Sequence, residues 1–140
     1  MKIEVINGVN LNMLGMREKD IYGEKTIEQI NSEIDAYWKK KGIEVTFFQS
    51  NIEGEICERI QQSNADAIVL NAGAYSHYSI AIRDAISGAQ KKVVEVHISN
   101  LFSREEFRQK SVIAPVCVGT LCGFGYKGYM LAIESFLIWE

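Results

Sequence analysis

"DAIVLN" (residues 66–71) sets four consecutive apolar residues between an aspartate and an asparagine. The run does not alternate and is too short for a helix, so it predicts a strand buried on both faces. Helical spacing flanks it: "EGEICERIQQS" (53–63) before and "SIAIRDAISG" (79–88) after. A doubly buried strand between two helices is the repeating unit of a parallel sheet, because parallel neighbours need a crossover to connect them.

The same alternation extends in both directions. "IEVI" (3–6), "IEVTFFQ" (43–49), "KVVEVH" (92–97) and "IAPVCVG" (113–119) read as the other four strands. "TIEQINSEIDAYWKKKG" (26–42) reads as the clearest helix. Thr26 with Gln29 three residues on predicts a capping box, and Ile27, Ile30, Ile34 and Trp38 form one apolar stripe. Lys39 to Lys41 fall in the last turn, where the helix dipole favours cations, and Gly42 can end the helix. "REEFRQ" (104–109) predicts a helical turn and "GYMLAIESFLIW" (128–139) a closing helix. The fold class is therefore α/β: a flavodoxin-like three-layer sandwich, a five-stranded parallel sheet with helices on both faces, over a single domain 1–140. In such sheets ligands sit beyond the carboxyl ends of the strands.

The bulk properties narrow the function classes. The 140 residues are 47% hydrophobic and 24% charged, with a formal net charge of −3. This is a globular composition without the basic footprint of a nucleic-acid binder. "MKIEVIN" reads as a strand and not as a signal peptide, and the longest uncharged stretch, 111–126, is too short and too broken by Pro115 and glycines to span a bilayer. The expectation is a cytoplasmic protein with no membrane or nucleic-acid partner. Cys57, Cys117 and Cys122 are odd in number and show no CxxC spacing, so they read as small buried hydrophobes in a reducing compartment.

Polar residues follow every apolar run, and a parallel sheet gathers all those ends on one edge. Asn7, Asn10 and a long loop (about 8–24) with Arg17 and Tyr22 follow the first strand; Gln49 and Asn51 follow the second; "NAGAYSHYS" (71–79) follows the third; "HISNLFSREEFR" (97–108) follows the fourth. His77 and His97 are the two histidines of the chain. They can serve as an acid/base pair; the spacing lacks an HxxxH pattern, so no metal is expected. Glu95, two residues before His97, shares its strand face and can fix its tautomer. Val93, Val94 and Val96 around it argue against an edge strand. Tyrosine is a poor base unless a cation held close favours its phenolate, so a loop bringing Arg17 over Tyr22 would make a base and, on closing, exclude water. Read one at a time, Arg17 fits a solvent position, Tyr22 packing at a turn before Gly23, and Arg108 a surface position on an amphipathic turn, better than a site. The backbone after His97 can hold an anion, and Arg108 can add a guanidinium fork.

"NGVNLNMLGMREKDIYG", "QSNIEGEICERI", "LNAGAYSHYSIAIRDAI", "EVHISNLFSREEFR" and "GFGYKGYMLAI" resemble, in order, the motifs of type II 3-dehydroquinate dehydratases. The resemblance runs from Asn7 to about Ile133. It implies anti elimination of water from 3-dehydroquinate through an enolate, giving 3-dehydroshikimate, with no cofactor. It further implies Tyr22 as the base, Arg17 as its activator, His97 as the acid oriented by Glu95, and Asn10 as enolate stabiliser, in part through a water. Asn71, His77 and Arg108 would hold ring hydroxyls, and Ile98 (backbone) with Ser99 the carboxylate. Asp84 would reach a neighbouring subunit's site in a homo-dodecamer built of trimers. Val9, Lys19 and Ala72 stand where the family usually has proline, and Ile52 where it often has histidine. An alternative on the same fold is a flavin- or nucleotide-binding module, against which stands the absence of a GxGxxG or short phosphate loop after the first strand.

Overall fold

The computed structural model describes residues 1–138. Strands β1 (Lys2–Asn7), β2 (Glu44–Gln49), β3 (Ala67–Asn71), β4 (Lys92–His97) and β5 (Gly119–Cys122) form one sheet in the order β2-β1-β3-β4-β5, every pair parallel. Besides a single turn α1 (Lys19–Tyr22) in the first loop, the helices are α2 (Ile27–Lys39), α3 (Glu53–Gln62), α4 (Ile80–Ala89) and α5 (Lys127–Leu137). The end of the predicted closing helix, at residue 139, lies outside the described residues.

Two apolar cores sandwich the sheet, as strand alternation demands. Ile3, Val5, Val69 and Val94 meet α2 and α5 on one face. Ile6, Ile68, Leu70 and Val93 meet α3 and α4 on the other. Every residue of β3 is buried, which explains its unbroken apolar run. The helix stripe expected from spacing is the observed one: Ile27, Ile30, Ile34 and Trp38 are all buried. Thr26 Oγ1 accepts the Gln29 N–H (3.2 Å) while Gln29 Oε1 accepts the Thr26 N–H (2.9 Å), closing the capping box. Glu4 is buried in β1 but paired with Arg59 from α3, as a charge in such a place requires.

Three expectations need correction. The strand expected at 113–119 lies later, at Gly119–Cys122; Ala114–Val116 form a 3-10 turn instead. Pro115 has no N–H for a ladder, and fully buried Ile113 serves as a plug in the second core. The helical turn near 104–109 shrinks to one 3-10 turn, Glu106–Arg108. The cysteines, expected as buried hydrophobes, are half-buried. Burial, reinforced by the charge of Glu95, nevertheless pushes the Cys117 thiol up to about 12.

At the carboxyl edge the sheet is tied by side chains. Asn7 and Asn71 are register partners on β1 and β3. Tyr129 of α5 reaches both: its hydroxyl donates to Asn7 Oδ1 and accepts from Asn71 Nδ2 (2.9 Å). All three residues are buried.

Two outcomes follow for stability. Thr26→Ala, which removes a cap, is expected to cost about 1 kcal/mol in urea unfolding. Burial pushes the Tyr129 phenol above its ordinary value of 10.0. The unfolded chain then releases this proton at lower pH than the folded one, so the contribution is held below about pH 10 and lost as pH rises. The urea midpoint should fall between pH 9 and 11, and fall less in Tyr129→Phe.

Candidate active site

The loop after β1 begins where two backbones touch. A Cβ at Gly8 would lie 2.5 Å from the Ala72 carbonyl oxygen, so only glycine fits there. Asn10 follows in the left-handed region (φ 68°), which asparagine tolerates, and its N–H donates to Asn51 Oδ1 (2.9 Å). The loop folds back on itself at Gly15, whose φ is +82° and which packs on the Glu24 carbonyl, and ends after α1 at Gly23.

This geometry hangs Tyr22 over a cavity of about 170 Å³ at the carboxyl edge of the sheet. The space is below the roughly 300–1,000 Å³ typical for drug-sized ligands, which suits a small metabolite. Of the residues singled out from sequence, Asn10, Arg17, Tyr22, Asn71, His77, His97, Ile98, Ser99 and Arg108 line it. Glu95 lies beneath, with no solvent exposure. Asp84 does not line the cavity of its own chain; it stands exposed on α4.

Each histidine has one nitrogen fixed. His97 Nε2 is 2.5 Å from Glu95 Oε2, which leaves Nδ1 for the cavity. His77 Nδ1 is 2.8 Å from the Lys110 carbonyl oxygen. A carbonyl only accepts, so Nδ1 carries a hydrogen and Nε2 is left for the cavity. The two rings stack with centroids 6.2 Å apart. β4 lies between β3 and β5, so Glu95 is on an interior strand, as its valine neighbours indicated.

Two arginines flank Tyr22: Arg17, as picked out from sequence, lies over the ring, and Arg104, which was not, bonds the hydroxyl. Arg104 Nη1 donates to the Tyr22 hydroxyl oxygen at 2.6 Å and lies 3.4 Å from Ser99 Oγ. Arg17 sits over the tyrosine ring, 5.9 Å from its centroid, and pairs with Glu18 at 3.2 Å. Arg104 was open to the same argument that singled out Arg108, since both follow β4 in the same polar stretch. Glu105 lies between them: it accepts from Arg108 Nε (3.2 Å) and is 3.8 Å from Arg104 Nε. Its own backbone amide and then Arg108 hold its carboxyl below the ordinary value. Asn71 is committed on both sides, donating to Tyr129 and accepting the Gly73 N–H (3.1 Å). Among the described residues no group of three His, Cys, Asp or Glu is placed to hold a metal ion.

An arginine-held phenol and a carboxylate-held imidazole around one small cavity suit proton removal and proton delivery on a single ring-sized molecule. Comparison with known proteins agrees in kind. Residues 1–137 match the family model described as dehydroquinase class II. The 3-dehydroquinate dehydratase of Clostridium beijerinckii is 56% identical over 138 residues, 96% of this chain and 94% of that protein. The crystal structure of a type II dehydroquinase from Butyrivibrio crossotus superposes with a TM-score of 0.95 at 52% identity, covering 98% of this chain and 97% of the other. That of the Propionibacterium acnes type II dehydroquinase gives 0.92 at 40% identity, covering 96% and 94%. With a family match over nearly its whole length and relatives above half identity, the chain belongs to the class II dehydroquinase family.

Proposed function

We infer that this chain dehydrates 3-dehydroquinate to 3-dehydroshikimate, a hydro-lyase step of the shikimate pathway. The observation that carries the reading is that Tyr22, held by Arg104, and His97, held by Glu95, line the same cavity from different chain segments. An anti elimination needs a base and an acid on opposite faces of the ring, and groups from separate strand ends can flank it.

The proposed roles combine that arrangement with the family resemblance of the motifs. Arg104, with Arg17 over the ring, stabilises the Tyr22 phenolate, which takes the C2 proton. The electron pair moves to the C3 carbonyl oxygen, and the enolate is stabilised by Asn10, in part through a water. The enolate then collapses, the C1–O bond breaks, and the His97 imidazolium gives its Nδ1 proton to the departing hydroxyl, which leaves as water, while its Nε2–H stays on Glu95. Glu95 keeps the His97 ring oriented throughout. Asn71, His77 and Arg108 hold the ring hydroxyls, and the Ile98 backbone with Ser99 takes the carboxylate.

We further propose a cytoplasmic homo-dodecamer of trimers in which Asp84 reaches a neighbouring site. Two observations support this. Asp84 is exposed on α4, outside its own cavity. Near it in sequence, Tyr78 and Ile80 expose 62% and 56% of their surface, as an unpartnered contact face would. Among the described residues no helix is long and apolar enough to cross a membrane.

Three measurements test these readings. Ultraviolet absorbance of the conjugated enone should rise when 3-dehydroquinate is added to the purified protein. Tyr22→Phe and His97→Ala should each slow that rise by about 10²–10⁴-fold, the range for a lost general base or acid; wild-type rates in either variant would refute the assigned role. Light scattering should give the mass of twelve chains, and Asp84→Ala should lower kcat/KM by roughly tenfold, the loss of about 1.4 kcal/mol.

A further inference from the structure

Glu95 is a carboxylate with no solvent exposure, and an ion so placed requires donors for its oxygens. His97 supplies one, at 2.5 Å to Oε2. Ser111 Oγ supplies another, 2.8 Å from Oε2 and 3.0 Å from Oε1. Thr120 Oγ1 stands further off, at 3.3 Å from Oε1. The Ser111 hydroxyl is not a free rotor, because its oxygen also accepts the Ala114 N–H at 3.1 Å. With a lone pair committed to that amide, its hydrogen is directed at the carboxylate.

The segment carrying Ser111 is itself clamped. The Val112 N–H donates to the Ser76 carbonyl (2.8 Å), and Arg83 Nη1 donates to the Val112 carbonyl (2.9 Å). The preceding residue, Lys110, offers the carbonyl that fixes the His77 tautomer. Residues 110–112 thus hold both histidines, His77 directly and His97 through Glu95.

We propose that Ser111 is a positioning residue for the elimination: its hydroxyl pins the Glu95 carboxylate so that His97 keeps its Nε2–H on Glu95 and, once protonated, aims its Nδ1–H at the leaving hydroxyl. The proposal rests on the dehydratase reading above, in which His97 is the acid. Without the hydroxyl, the carboxylate keeps one near donor and turns about its terminal bond. The imidazole then loses its fixed tautomer and its aim.

The test compares Ser111→Ala, Ser111→Cys and Ser111→Thr with the wild type, by steady-state kinetics and by ¹⁵N NMR of the histidine side chains without substrate. Cysteine fills the same space with a weaker donor, so it stands in where alanine lowers the yield of folded protein. Alanine and cysteine are expected to lower kcat by roughly 10- to 100-fold, the usual loss when a group that orients a reacting side chain is removed. KM should stay within about twofold, since Ser111 does not line the cavity. At a pH where the ring is neutral, the His97 nitrogens should move from a single Nε2–H tautomer toward a mixture, and threonine, which keeps the hydroxyl, should restore both readouts. Wild-type kcat in folded Ser111→Ala and Ser111→Cys overturns the proposal, as does a lowered kcat with unchanged His97 nitrogen signals. The nitrogen signals need no turnover. A wild-type protein that leaves 3-dehydroquinate untouched therefore counts against the dehydratase reading, while the NMR comparison still decides the role of Ser111.

Discussion

The Tyr129 hydroxyl between Asn7 and Asn71 is the contact on which the functional edge of the molecule depends. Both segments that carry site residues from the first and third strands leave the sheet there. The Gly8 N–H donates to the Asn71 carbonyl (2.7 Å), and the Gly8 backbone lies against Ala72. A slip at this point would carry Asn10, Tyr22 and His77 with it. Three buried polar side chains are costly unless satisfied, and here the Tyr129 hydroxyl bonds both asparagines. A helix late in the chain thereby sets the geometry of loops that begin early in it.

The sheet itself was legible because its signals are local. The apolar run of β3, the capping box of α2 and the alternation of β1 each reside within a few residues. The fifth strand misled for a physical reason. The apolar run around Pro115 looks more strand-like than "GTLC", yet it is used as packing, with Ile113 buried in the second core. The edge strand β5 is short, and none of its residues is fully buried, so its sequence need not be strongly apolar.

The site was legible in part for the same reason. Glu95 and His97 lie two apart on one strand, so their pairing could be read from alternation alone. Arg104 and Tyr22 are 82 residues apart, Ser111 and Glu95 are 16 apart, and Tyr129 and Asn7 are 122 apart. No periodicity links such pairs; only the closed fold brings them together. Strand alternation therefore paired Glu95 with His97, the family resemblance singled out Tyr22, and most of the groups that hold these side chains were left out. Arg17, the arginine nearest to Tyr22 in the chain, was the natural choice of partner, yet the hydroxyl is held by an arginine from across the sheet.

That choice of arginine has a consequence for how the loop is anchored. Tyr22 lies at the end of the first loop, whereas Arg104 belongs to the body of the domain beyond β4. Arg17, by contrast, belongs to the same loop as the tyrosine ring it covers. The Arg104–Tyr22 hydrogen bond is therefore a tether between loop and body: the seat of the loop over the cavity and the place of a guanidinium against the hydroxyl are one and the same contact.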